Sequence, residues 1–161
     1  MTSRSRGFTL IEVLVVVIVI AIASAVAVAN LDGDDRGRME REARRLAGAL
    51  EHAASLAQWQ GETLGVSAEG SVYRFWKRRS DGSWAAIDND SVLAPRALPG
   101  DFSVKPAFYG GAPVADDAVL PFRASGRNEP YSLLLANPAW SVLVAGDPLN
   151  RVHFAAQAVS R

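Results

Sequence analysis

Hydrophobic and polar positions divide the chain into three regimes. Phe8 to Ala29 is apolar except for Thr9, Glu12 and Ser24. Wound as a helix at about 1.5 Å per residue, this stretch would extend roughly 33 Å, enough to cross a hydrocarbon core. From Met39 the apolar positions step by three and four, through Ala43, Leu46, Leu50, Ala53 and Ala57. That period predicts an amphipathic helix with one buried stripe. Glu40, Arg41, Glu42, Arg44, Arg45 and Glu51 occupy its other faces, with Glu40–Arg44 and Glu42–Arg45 spaced to pair along the helix. Gly61 is placed to end it.

Beyond Gly61 the period shortens to two. Strands are expected at 63–67, 71–77, 84–87, 102–104, 119–122, 131–135, 140–145 and 151–154, separated by turn residues such as Ala68-Glu69-Gly70 and Ser80-Asp81-Gly82-Ser83. Tyr73, Phe75, Leu133, Leu135, Val142 and Val144 alternate as half-buried strands do. Proline and glycine cluster from Pro95 to Pro113, which predicts a long loop with little regular structure. Between the two helical regimes, Asn30 to Gly37 holds two glycines and three aspartates and reads as a kink or cap. Its acidic spacing does not fit a calcium-binding EF-hand loop.

The first thirty residues admit three interpretations. Arg4 and Arg6 precede the apolar span, and Asp32, Asp34 and Asp35 follow it, so the N-terminus is expected inside and the rest outside. A cleaved secretory signal would suit Ala25, Ala27 and Ala29 before Asn30. A plain signal anchor would also suit the span. Glu12 fits neither, because a carboxylate in an apolar helix costs a few kcal/mol unless it finds a partner or the interface.

Arg6-Gly7-Phe8-Thr9-Leu10-Ile11-Glu12 resembles the prepilin processing motif of type IV pilins and type II secretion pseudopilins. The resemblance implies cleavage between Gly7 and Phe8 by a prepilin peptidase/methyltransferase and N-methylation of Phe8. It also implies an ion pair in which Glu12 meets the Phe8 ammonium of a neighbouring subunit, offsetting the cost of burying both charges. Further along, Tyr73-Arg74-Phe75, Trp84 and Leu93-Ala94-Pro95-Arg96-Ala97-Leu98-Pro99 resemble the minor pseudopilin H family (GspH). So do Leu120-Pro121-Phe122-Arg123-Ala124-Ser125-Gly126, Pro130-Tyr131-Ser132-Leu133 and Asn150-Arg151-Val152. Asn150 departs from the glycine usual at that place in the family.

The family implies an α+β, type IV pilin-like fold: a long N-terminal helix followed by a β-rich head of antiparallel sheets. Its expected parts are a leader at 1–7, a transmembrane and assembly helix at 8–30, an amphipathic helix at 31–61 and a periplasmic head at 62–161. The implied function is that of a minor pseudopilin of the type II secretion system near the tip of the periplasmic pseudopilus, supporting export of folded proteins. The implied partners are the other minor pseudopilins, the major pseudopilin and inner-membrane lipid, and no cofactor is required. The alternative is a FimT/FimU-like minor pilin in pilus assembly or DNA uptake.

Composition narrows the chemistry. Acidic and basic residues balance at 17 each, and removing Arg4 and Arg6 with the leader would lower the basic side to 15. A DNA-binding pilin would carry a basic surface and an arginine-rich tail, but residues 155–161 contain only Arg161, so nucleic acid is disfavoured. There is no cysteine, and His52 and His153 are the only imidazoles. No nucleophile elbow, P-loop, dinucleotide fingerprint or zinc-protease motif occurs. Asp88-Asn89-Asp90 and Asp116-Asp117 are read as solvated turns rather than a metal site. His52 is read as a surface position, Ser125 as a turn residue, and Trp59, Trp76, Trp84 and Trp140 as packing or subunit-contact residues rather than a stacking platform. The chain is expected not to be an enzyme.

Overall fold

The computed structural model describes the backbone of residues 10–158 and the side chains of residues 10–25 and 35–155. The chain forms two compact units, residues 1–35 and 36–161. Helix α1, Leu10–Gln60, contributes to both. The helix cap expected at Asn30–Gly37 is not present, for the helical assignment runs through these residues. Each glycine costs a helix only about 1 kcal/mol relative to alanine. Nucleation is the expensive step, and a turn flanked by strong helix on both sides propagates without it.

In the second unit Met39, Ala43, Leu46, Leu50, Ala53 and Ala57 are all fully buried, as their spacing predicts. Ala47, Ala49 and Ala54 are buried beside them, so the stripe is wider than the strict period implied. Six of these nine residues are alanine, which lets neighbouring backbone approach the helix closely. The helix ends at Gly61, whose φ is 67°. The Gly61 N–H donates to the Gln58 carbonyl at 3.3 Å and the Glu62 N–H to Ala57 at 3.1 Å. This paired closure satisfies two carbonyls that the last helical turn would otherwise leave open.

Ten strands follow: β1 (Leu64–Glu69), β2 (Val72–Arg78), β3 (Trp84–Ala86), β4 (Arg96–Ala97), β5 (Ser103–Tyr109), β6 (Ala112–Pro113), β7 (Leu120–Phe122), β8 (Tyr131–Ala136), β9 (Trp140–Gly146) and β10 (Val152–Ala158). They form two five-stranded antiparallel sheets. One runs β3-β2-β1-β7 with β4 also paired to β2, and the other runs β10-β9-β8-β5-β6. Tyr73, Phe75, Leu133, Leu135, Val142 and Val144 all point into one core shared by both sheets and the buried stripe of α1.

Two expectations are corrected here. Residues 95–113 are not an irregular loop but carry β4, β5 and β6. Proline obscured β5 because it cannot donate a ladder hydrogen bond, yet Pro106 is accommodated where the register with β8 shifts between Pro106 and Phe108. The last strand also runs to Ala158 rather than ending at Phe154, pairing along the whole of β9.

Candidate functional site

The first unit presents an apolar helical surface. From Leu10, 86% exposed, to Ile22, 61% exposed, its large side chains are all substantially open. An uninterrupted apolar surface of this kind calls for lipid or protein to cover it. Glu12 lies in the first turn of α1, among these residues. Gly7 and Phe8, where cleavage and methylation are expected, lie outside the described residues. Among the described residues no helix is long and apolar enough to cross a membrane. The described side chains of the run stop at Ala25, about 24 Å along the axis and short of the ~30 Å core. The expected span, residues 8–30, begins and ends beyond them.

In the second unit, acidic side chains serve local structure. Asp90 Oδ1 accepts from the N–H groups of Val92 at 2.7 Å and Leu93 at 3.0 Å. Those donors, helped by His52, hold its carboxyl below the usual carboxylate range. His52 Nε2 stands 3.5 Å from Asp90 Oδ2, so this histidine faces the 88–94 loop as well as solvent. Asp116 lies 3.6 Å from the Lys105 ammonium. Among the described residues no group of three or more acidic or histidine side chains could hold a metal ion. Ser125 sits in a turn before Gly126, whose φ is 74°.

The tryptophans do not form a stacking surface. Trp59 is 86% exposed. Trp76 donates its indole N–H to Ser67 at 2.8 Å. Arg78 lies over Trp84 at 5.4 Å and Arg36 over Trp140 at 5.5 Å. Trp140 alone packs against the core cluster. Gly65 makes room for this arrangement, since a Cβ there would meet Val119 at 2.7 Å and Trp84 at 3.0 Å.

The helix charges pair differently from their expected spacing. Glu40 pairs with Arg36 at 2.9 Å rather than with Arg44. Glu42 turns from Arg45 to Arg96, which grips it through Nε and Nη2 at 3.0–3.2 Å. Both partners are largely shielded from solvent, where a forked guanidinium–carboxylate pair is strongest. Glu51, assigned by sequence to an outer face, accepts the Val152 N–H at 3.0 Å and so ties β10 to α1. Sequence reasoning could not find the Glu42–Arg96 pair, because its members are 54 residues apart. Beside it lies a cavity of about 260 Å³ between α1 and the 91–96 segment, lined among others by Arg45, Tyr73 and Arg96.

Asn150 takes a left-handed conformation at φ 65°, the single non-glycine residue to do so among those described. Its Oδ1 accepts from the Nδ2 of buried Asn128 at 2.6 Å, and its own Nδ2 donates to the Gly126 carbonyl at 3.2 Å. Asn128 Oδ1 in turn accepts the Arg123 N–H at 2.7 Å. The asparagine at the resembled glycine position therefore keeps the glycine-like backbone and adds a bridge between the β7–β8 and β9–β10 connections.

The described chain thus combines a helix with a bare apolar beginning, a glycine cap and two antiparallel sheets. The prokaryotic N-terminal methylation motif matches residues 2–28. The type II transport protein GspH family matches residues 42–149, from the buried helical stripe to the β9–β10 turn. The chain belongs to the GspH family.

Solved structures agree on the fold. The minor pseudopilin EpsH from the type II secretion system of Vibrio cholerae is 17% identical with a TM-score of 0.60, over 78% of this chain and 98% of that one. The type IV minor pilin FimU of Pseudomonas aeruginosa is 16% identical with a TM-score of 0.55, over 78% and 96%. GspH of E. coli is 19% identical with a TM-score of 0.53, over 74% and 88%. No curated protein sequence matches. At these identities the likeness is one of fold, the type IV pilin-like α+β fold that the GspH resemblance implied. The α1 stripe, both sheets and the positive φ of residue 150 all fall at or beside the matched GspH segment.

Proposed function

We propose that this GspH-family minor pseudopilin works as a structural subunit near the tip of a periplasmic pseudopilus, anchored in the inner membrane by residues 8–30. The observation that carries this reading is the exposed apolar surface of Leu10–Ile22 on the same helix whose later turns hold the head's core. Such a surface needs lipid before assembly and neighbouring apolar helices after it. Glu12 is the assembly residue: its carboxylate meets the N-methylated Phe8 ammonium of the next subunit, and the pair makes each buried charge tolerable. Gly7 marks the cleavage site because its bare backbone admits the peptidase. The head, residues 62–161, stands on the periplasmic side and contributes surface contacts rather than catalysis. Other minor pseudopilins and the major pseudopilin are its partners.

The test is co-purification. Full-length protein co-expressed with the pseudopilins of its own secretion system should bring them through membrane extraction and affinity purification. Deleting its gene should stop secretion of a reporter exoprotein. Loss of surface pili with secretion intact would assign it to pilus assembly instead.

A further inference from the structure

The cavity beside Arg96 holds hydrogen-bond donors that the chain itself does not use. Residue 96 is held to α1 through Glu42–Arg96, and His52 of α1 stands 3.5 Å from Asp90 of the 88–94 loop, so the cavity is walled by segments in contact with the helix. Arg96 is committed to Glu42 through Nε and Nη2, which leaves Nη1 open. Arg45 is exposed and, with Glu42 drawn away, makes no ion pair among the described residues. Tyr73 is 2% exposed, near enough to Arg96, Glu42 and Arg45 for their charges to act on its phenol, yet its hydroxyl makes no hydrogen bond among the described residues. Unlike the hydroxyls of Tyr109 and Tyr131, which are buried without a partner, that of Tyr73 is still reached by solvent, so a group entering the cavity can accept from it.

Resting on the pseudopilin reading above, we propose that this cavity receives an Asp or Glu side chain from a neighbouring pseudopilin subunit, held by Arg45, Arg96 and the Tyr73 hydroxyl. Two guanidinium groups and a phenol suit a carboxylate, which accepts several donors at once. At about 260 Å³ the space admits one side chain rather than a strand of nucleic acid. Glu40, Glu42 and Glu51 interleave with the arginines on α1, which weakens attraction for a polyphosphate backbone. The cavity lies wholly within the second unit, with Arg45 and Val92 exposed at its rim, so the side chain of a neighbouring subunit can enter it.

The experiment uses tagged full-length protein co-expressed with its companion pseudopilins and extracted from membranes. Wild type must recover its companions; if it does not, the pseudopilin reading itself fails. Given that recovery, Arg45→Glu should lower it about tenfold or more, as loss and reversal of a charge-assisted contact requires. Arg45→Lys should stay within about threefold, since it keeps the charge and loses the fork. Tyr73→Phe, which leaves the ring in the core and removes only the hydroxyl, should lower recovery about fivefold. A photo-crosslinking residue at Val92, on the rim, should join a companion segment that bears Asp or Glu. Unchanged recovery in Arg45→Glu overturns the proposal while leaving the pseudopilin reading intact. So does a crosslink to a segment without an acidic residue, or a duplex-DNA affinity that Arg45→Glu abolishes while companion recovery stays normal.

Discussion

Replacing Asn150 separates a backbone requirement from a side-chain bridge. Asn150→Gly keeps the left-handed φ of 65° at no steric cost, while Asn150→Ala forces a Cβ residue into it. Both remove the acceptor of the Asn128 Nδ2, and Asn128 is only 5% exposed. Leaving a buried amide donor unsatisfied costs about 1–3 kcal/mol. Relief of the asparagine's own αL strain returns some of this in the glycine variant, so Asn150→Gly should cost about 1 kcal/mol. Asn150→Ala should cost about 2–3 kcal/mol, because alanine adds roughly 1 kcal/mol for the left-handed backbone. For a unit of this size, 1 kcal/mol moves Tm by about 4 °C. The expected order is wild type, then glycine about 4 °C lower, then alanine about 8–12 °C lower, read by circular dichroism on a fragment of residues 31–161. A glycine variant as stable as wild type would mean that the Asn128–Asn150 bridge contributes nothing. Equal glycine and alanine variants would mean that the positive φ is not a constraint.

Mass spectrometry of membrane-extracted protein should find a mature terminus at N-methyl-Phe8, with bulky substitutions at Gly7 leaving the precursor uncut; a terminus at Asn30 would instead indicate an ordinary secretory signal. Glu12→Gln should insert and be processed normally but recover companion subunits poorly, because the partner ammonium loses its counter-charge in the filament core; normal recovery and normal reporter secretion would remove the ion pair from the mechanism. The 31–161 fragment should stay in solution without detergent and show mixed helix and sheet, and aggregation would point to an apolar face on the head that a partner covers. Asp90 has a folded pKa below its unfolded value, so its contribution is present above about pH 4 and is lost as pH falls through the folded value. The urea-midpoint difference between wild type and Asp90→Asn should therefore shrink below about pH 4, whereas a constant difference would show that the carboxylate's charge is irrelevant to the loop.

The local patterns determined much of this protein. The period of Met39 to Ala57, the alternation of Tyr73 and Phe75, and the glycine at 61 each specify an element through interactions within a few residues, so the sequence displays them directly. The match of residues 2–28 to the N-terminal methylation motif is likewise a linear pattern. Where elements depend on distant partners the sequence was silent or misleading. The glycines and aspartates of 30–37 look like a break, but a helix already propagating on both sides absorbs them. Pro106 disguises a strand that pairing with β8 supports through a shift of register. Arg45 looked paired with Glu42 at helical spacing until the fold brought Arg96 closer and freed it. Asn150 looked like a departure from a glycine, and the tertiary structure made it a bridge. Spacing along a chain states which contacts are possible. Which of them form is decided by burial, because a shielded ion pair or an amide enclosed by the fold is worth more than the same pair left in water.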